Sequence, residues 1–381
     1  MHNLSAESEI KKVTKGRGVT MDISQLKEKS VKKIAKTAVC LKDSLPYTTI
    51  DGKYNDMSKK MPFWWTNSFW AGILWQMYAV TGEKVYADYA IGCEKKLENV
   101  LYEYEFCDHD LGFLWLLSGV EHFKHFQDKK AKNDALLAAS VLASRYDLTT
   151  KTIRAWNAEQ RKGIAIIDCM MNLPLLYWAS EQVNDERFKK IAMSHADSVI
   201  KNFVRKNGSV CHMVKFDTKT GERLEDYGGQ GYKQGSSWTR GQGWAIYGFI
   251  QSYQWTKGQS YLETAKKVAD YFICEAKKND YKIKCDFCQP EDDELYDSSA
   301  ASIAACGMIE IYKETGEGKY LKEAEKLILA ISENFCPWYD ENDQALVNFG
   351  SESFERHEHI ALIYGDYYFF HAVCELDGIL N

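Results

Sequence analysis

Residues 69–90 read FWAGILWQMYAVTGEKVYADYA: an apolar, Trp- and Tyr-rich stretch, a polar turn, then a segment with apolar residues every three to four positions. The turn and second segment return as NDERFKKIAM from Asn184, KGQSYLETAK from Lys257 and TGEGKYLKEA from Thr315. Such repetition decides the fold ahead of local propensity, because a two-helix unit with two apolar faces buries them only against copies of itself.

Apolar spacing of three and four residues predicts helices at 23–44, 65–80, 84–102, 110–127, 132–146, 168–182, 186–204, 238–255, 259–277, 297–314, 318–335 and 364–377. The even-numbered ones are apolar almost all round, as in MMNLPLLYWA, GWAIYGFIQSYQW and AASIAACGMIEIY, which suits an inner ring buried on both sides. The odd-numbered ones carry Lys and Glu on one face, as in KYLKEAEKLILAI, which suits an outer ring facing water. Six such pairs predict an all-α fold, an (α/α)6 barrel. With only 5 prolines and no Pro/Ser-rich linker, residues 23–381 read as a single barrel domain behind an N-terminal arm, 1–22.

A composition of 45% hydrophobic and 27% charged residues is that of a soluble globular protein. The net charge of −6 gives no basic footprint for nucleic acid; Lys11, Lys12, Lys15 and Arg17 read as a solvated arm. No apolar run resembles a signal peptide or spans a bilayer, so no membrane partner and a cytoplasmic location are expected, with the chain a monomer or weak homo-oligomer. Eleven scattered cysteines fit a reducing compartment, and Cys93, Cys169 and Cys306 lie in apolar helical patterns as small hydrophobes. Cys285 and Cys288 in CDFCQP lack the second ligand pair that a structural zinc needs. Neither a metal nor a cofactor is expected.

In an α/α toroid the inner helices share one direction, so their N-termini and the positive ends of their dipoles meet at one mouth. The residues at those starts are aromatic and acidic: Trp64 and Trp65 in FWWTNSFW, His109 and Asp110 in CDHDLGF, Asp168 in IIDCMMN, Trp238, Arg240 and Trp244 in SSWTRGQGW, Asp297 in YDSSAA and Asp366 in YGDYYF. Each aspartate reads equally well as a helix cap and each tryptophan as core. Their company argues for more: Arg240 and Trp244, four apart, share a helix face, and indoles beside a guanidinium offer a flat surface and a bidentate donor to a sugar carrying a carboxylate. Trp156 in IRAWN adds a further wall.

The motifs DHDLGF from Asp108, IRAWN from Ile153, IIDCMMNLPLLYWA from Ile166 and SSWTRGQGWAIYG from Ser236 together resemble the unsaturated glucuronyl hydrolases, glycoside hydrolase family 88, from about Trp64 to Tyr368. The resemblance implies an (α/α)6 barrel that removes the non-reducing 4,5-unsaturated uronic acid from lyase-generated oligosaccharides without a metal. It implies Asp168 as general acid and base, and Asp110 as the carboxylate that holds the sugar hydroxyls and governs the protonation of Asp168. It implies Trp238, Arg240, Trp244, Gln230 in YGGQGY and His212 in SVCHMVKF as substrate contacts, to which the aromatic residues Trp65 and Trp156 at the helix entrances are added as sugar-binding walls. His212 alternates with Val210, Val214 and Phe216, and reads equally well as a buried structural histidine.

The implied chemistry is hydration of a vinyl ether. A carboxyl gives its proton to C4, water adds to the oxocarbenium at C5, and the hemiketal opens to release the remaining saccharide. One carboxyl suffices, so the separation rule for carboxylate pairs does not apply. Desolvation and Asp110 push the Asp168 carboxyl up, Arg240 and a helix N-terminus push it down, and the sequence leaves the sum open. In NFGSESFERHEHIALIYGD, Ser351 and Ser353 stand where relatives that prefer sulfated fragments carry a Ser/Lys stretch, but without the lysine; Arg356, His357 and His359 read as anion contacts or as a solvated loop. Three rival readings are an unsaturated rhamnogalacturonyl hydrolase, a sugar 2-epimerase using His212 and His359, and a carbohydrate-binding barrel without catalysis.

Overall fold

The computed structural model describes residues 21–380. Its helices are α1 (Ile23–Leu41), α2 (Phe69–Thr81), α3 (Lys84–Leu97), α4, α5 (Lys129–Ser144), α6 (Leu173–Val183), α7 (Glu186–Asn202), α8 (Thr239–Thr256), α9 (Gln259–Ala276), α10 (Ser298–Thr315), α11 (Gly318–Asn334) and α12 (Ile363–Leu380). Helix α4 begins as Leu111–Trp115, passes through a π-helical turn at Leu116–Val120 and ends as Glu121–Phe126. The even-numbered helices close a ring, α2 to α4 and onward to α12, which packs back on α2. Each odd-numbered helix packs outside an even-numbered neighbour, and this is the (α/α)6 barrel that the repeat requires.

The division into rings follows from burial. Every residue of α8 from Thr239 to Ile250 is buried, whereas α11 buries only one stripe, with Tyr320, Ala324, Leu327 and Ile331 at helical spacing. The repeated turn also has a physical basis. Helices α2, α4, α6, α8 and α10 each end on a left-handed residue: Gly82, Gln127, Asn184, Lys257 and Gly316. In four of them that residue's N–H returns to the carbonyl four positions back, for example Gly82 to Tyr78 and Gly316 to Tyr312, which satisfies an orphan acceptor and reverses the chain within a few residues.

Ring closure joins distant parts of the chain. Helix α1 packs on α12, and Lys27 Nζ lies 2.7 Å from Asp377 Oδ2.

Besides shifts at helix ends, among them the expected 84–102 helix stopping at Leu97, the structure departs from the sequence reading in three places. The helix expected from 65 starts at Phe69, because Trp64 and Trp65 belong to a turn in which Trp64 N–H donates to Met61 O and Asn67 N–H to Trp64 O. The expected 168–182 helix is entered through a 3-10 turn, Ile167–Met171, with Pro174 in the first turn of α6. Among the described residues seven short strands flank the helices: the hairpins β1 (Thr49–Ile50) with β2 (Lys53–Tyr54) and β3 (Tyr146–Asp147) with β4 (Thr152–Ile153), and an antiparallel sheet β5 (Ile164–Ile166), β6 (Met213–Phe216) and β7 (Arg223–Tyr227) in that order. Only the alternation around His212 hints at them, since strands this short carry little periodicity. The first twenty residues of the expected arm, with their Lys/Arg cluster, lie outside the described residues.

Candidate active site

Asp110 and Asp168 reach the barrel mouth by different routes. Asp110 occupies the N-cap position of α4 but makes no capping bond with its side chain. Its Oδ1 accepts the Asn172 Nδ2–H at 3.1 Å and lies 3.3 Å from His109 Nε2. Asp168 sits in the 3-10 turn between β5 and α6, and the pairing of β5 with β6 runs on into that turn, where Ile167 N–H donates to the His212 carbonyl at 3.0 Å. This extension brings His212 Nε2 to 3.7 Å from Asp168 Oδ2, beyond a good hydrogen bond. Both atoms are buried without a protein partner, a state that calls for a functional explanation.

The Gln230 N–H points at His212 Nδ1 from 3.0 Å. A backbone N–H can only donate, so the hydrogen-bond network assigns the lone pair to Nδ1 and the hydrogen to Nε2, facing Asp168. The Gly228 carbonyl, 3.3 Å from the same nitrogen, is the weaker neighbour. Burial pushes the His212 imidazole down to about 3, so the ring is neutral at working pH. Burial first, and the charge of Asp110 second, push the Asp168 carboxyl up to about 7, against smaller pulls from His109 and Arg240. The direction left open by the sequence is therefore upward. Asp168 remains reachable, with 16% of its side chain exposed.

Arg240 is engaged by the protein itself. It is buried, its Nη1 donating to Asp297 Oδ2 and to the Ser351 carbonyl at 2.6 Å each, and its Nη2 to the Glu352 carbonyl at 2.8 Å. Three of five N–H groups are thus spoken for, and the guanidinium pins the segment before α12 to the mouth. Gln230 is a second crossbar. Its Nε2 donates to the same Glu352 carbonyl at 2.7 Å, and its own carbonyl accepts the Phe354 N–H.

The tryptophans divide by depth. Trp238 is buried, its ring 4.1 Å from the His212 ring and 4.5 Å from the Arg240 guanidinium. Trp156, half-buried, meets His109 edge-on at 5.5 Å and carries Arg161 over its ring. Trp65, half-buried, lies 4.9 Å from Tyr364. Trp244 is wholly enclosed between Phe113 and Tyr368, which places it in the core packing of the inner ring. Sequence reasoning singles out neither Tyr364, which also lies 5.4 Å from the Arg240 guanidinium, nor Asn172. Tyr364 stands in the first turn of α12, where the habit of inspecting inner-helix starts would have found it.

Among the described residues, three consecutive ones, Asp108, His109 and Asp110, are a group of metal-ligand types placed close together. Their donors are turned to protein partners: His109 Nδ1 to the Ala155 carbonyl, Asp108 Oδ1 to the Asp110 N–H, Asp110 Oδ1 to Asn172. Cys285 is buried and Cys288 exposed, both free thiols like the other nine cysteines. Ser351 Oγ donates to the Ser353 carbonyl, Arg356 pairs with Glu352, and His357 with Asp293. His359 accepts the Tyr296 N–H at 2.9 Å and packs on Phe349, so it forms no proton-transfer pair with His212.

A carboxyl poised near neutrality beside a second carboxyl, within aromatic walls at the end of an (α/α)6 barrel, is the working equipment of a glycoside hydrolase. The profile of Glycosyl Hydrolase Family 88 matches residues 41–252, and the chain belongs to that family. It is 34% identical over 327 residues to the unsaturated glucuronyl hydrolase of Bacillus sp. (strain GL1), covering 82% of this chain and 86% of that protein. It is 30% identical over 296 residues to the unsaturated chondroitin disaccharide hydrolase of Streptococcus pyogenes serotype M1, covering 77% and 73%. The crystal structure of the unsaturated glucuronyl hydrolase from Bacillus sp. GL1, described as responsible for the degradation of glycosaminoglycan, matches with a TM-score of 0.88 at 31% identity, over 93% of this chain and 97% of that one. These relationships do not favour the rhamnogalacturonyl reading. Among the described residues no helix is long and apolar enough to cross a membrane.

Proposed function

We propose that this glycoside hydrolase removes the 4,5-unsaturated uronic acid from the non-reducing end of glycosaminoglycan-type oligosaccharides, with Asp168 as general acid and base and Asp110 as its partner. The observation that carries the reading is the Asp168 carboxyl, raised to about 7 with a buried and unpartnered Oδ2. A protonated Asp168 gives its proton to C4 of the vinyl ether, and the electron pair of the double bond forms the new C–H bond. The cation at C5 is shared with the ring oxygen. The carboxylate left behind then takes a proton from the water that adds at C5, which regenerates the acid, and the hemiketal opens and expels the shortened saccharide.

Other residues support the same cycle. His212, neutral and with its Nε2–H 3.7 Å from Asp168 Oδ2, stands too far off to bond the carboxyl and so does not hold it in its charged form. Trp65 and Trp156, half-buried, offer ring faces to the sugars, with Gln230 and the two remaining N–H groups of Arg240 as polar contacts; Trp238 and Tyr364, buried like Trp244, serve as packing around them. The names of the relatives point to glucuronyl and chondroitin disaccharide substrates.

The deciding experiment uses an unsaturated chondroitin disaccharide and its saturated counterpart in oxygen-18 water. Loss of ultraviolet absorbance with the unsaturated compound alone, and label at C5 of the released uronate, are expected. Turnover of the saturated compound, or label at the anomeric carbon, would replace this reading with a conventional carboxylate-pair glycosidase.

A further inference from the structure

Burial pushes both Asp110 and Asp168 upward, so burial alone does not say which of the two carboxyls keeps the proton. Hydrogen bonds distinguish them. Asn172, completely buried, donates from Nδ2 to Asp110 Oδ1 at 3.1 Å and to the Asp168 backbone carbonyl at 3.3 Å. Its Oδ1 accepts the Phe113 N–H at 2.8 Å. Because Phe113 N–H can only donate, the amide orientation is unambiguous and the face turned to the carboxylate carries hydrogens.

The amide is also locked sterically. A Cβ on Gly112 would stand 2.4 Å from Asn172 Cα and 2.5 Å from Asn172 Oδ1, so only glycine lets the first turn of α4 lie on Asn172. DHDLGF and IIDCMMN, sixty residues apart, therefore interlock, each contributing one carboxyl and one half of the lock.

We propose that Asn172 is a positioning residue that keeps Asp110 ionised and thereby assigns the single proton of the Asp110–Asp168 pair to Asp168. This inference rests on the reading of Asp168 as proton donor given above. An N–H donated to a carboxylate favours its charged form, and a charge on Asp110 disfavours a second one on Asp168.

The other groups facing the pair do not make this choice. On the Asp110 side they are Asp108, His109, Arg145 at the C-cap of α5 and Cys169; on the Asp168 side, His109, His212 and Arg240 of α8. Arg145 is engaged by the carbonyls of Cys107, Arg154 and Ala155 and by Asn157, and Arg240 by Asp297. His109 works in the opposite sense. Its Nδ1 hydrogen goes to Ala155 O, so the neutral ring turns a lone pair from Nε2 toward Asp110 Oδ1 and welcomes a proton there. With Asn172 removed, the proton moves onto Asp110 against His109, and Asp168 ionises.

The test measures kcat and KM against pH, together with melting temperature, for Asn172→Ala, Asn172→Asp and, as control for the underlying reading, Asp168→Asn. Asn172→Ala is expected to lower kcat by about 10–100-fold, less than the roughly 10²–10⁴-fold expected on losing the acid itself. KM should stay nearly unchanged. The alkaline limb of its rate profile should move about one pH unit or more toward acid, because Asp168 no longer faces a charged Asp110. Asn172→Asp keeps the shape and, when protonated, can donate the same bond, so its activity should survive on the acid side alone and vanish as the new carboxyl ionises. An unmoved alkaline limb in Asn172→Ala, or an Asn172→Asp profile parallel to wild type, overturns the inference while leaving the function standing. Activity retained in Asp168→Asn overturns the function itself.

Discussion

On the α10–α12 side of the barrel, two aspartates at inner-helix starts are saturated with donors. Asp297 accepts the Ser299 N–H and hydroxyl and the Arg240 guanidinium; Asp366 accepts the N–H groups of Leu346 and Val347 and the Tyr54 hydroxyl. On the α4–α6 side, Asp168 keeps a buried oxygen without a partner, and Asp110 caps nothing with its own side chain. Residue type and topological place are the same on both sides. The difference is whether the surrounding protein was built to satisfy the carboxyl, and it separates aspartates that hold loops from the pair to which the proposed function gives the proton chemistry.

The largest expected break in this comparison is Asp168→Asn, with kcat falling by roughly 10²–10⁴-fold and the melting temperature nearly unchanged, because no protein hydrogen bond to Oδ2 is lost. Next is Asp297→Ala, which leaves the buried Arg240 charge unpaired. It should cost about 3–5 kcal/mol of stability in denaturant titration. A stability near wild type would mean that the Ser351 and Glu352 carbonyls suffice for Arg240.

Asp366→Ala orphans two backbone N–H groups and a tyrosine hydroxyl, and is expected to cost about 1–3 kcal/mol while kcat holds. The smallest effect is in pH. Burial raises both Asp168 and Asp366 to about 7, but the readouts differ. The rate, which in the proposed mechanism depends on protonated Asp168, should fall about tenfold per pH unit above about 7. Asp366 has a folded-state value above its ordinary one, so its contribution to stability is full below about pH 4 and is lost as pH rises toward 7. In Asp366→Ala the decline of melting temperature across that window should flatten while the rate profile stays put.

All twelve helices were legible because each is long enough to show a period, and the two rings because one is apolar all round and the other striped. The π-helical turn in α4 and the short strands had no pattern to show. At the site, four motifs announced the residues, but not what each one touches. Arg240 meets carbonyls 111 and 112 positions further on, contacts that its tryptophan-rich sequence neighbourhood does not announce. The contact of Asn172 with Gly112 left one local trace. A glycine inside the first turn of an inner helix costs about 0.5–1 kcal/mol against alanine, and that departure from helix preference was the readable sign of something pressed against it.

The closure of α1 on α12 also has a consequence for how the molecule is made. A ribosome releases Ile23–Leu41 more than three hundred residues before Ile363–Leu380, a lag on the order of 20–70 s at about 5–20 residues per second. Throughout that interval the stripe formed by Leu26, Ile34 and Ala38 has not met its partner, and the nascent barrel is an open arc with an uncovered helix at each end. Among the described helices, α1 is thus made first and is among the last to dock. The sticky period of this protein's life is set by its topology, and holdase chaperones that cover apolar helix faces would find their target at α1.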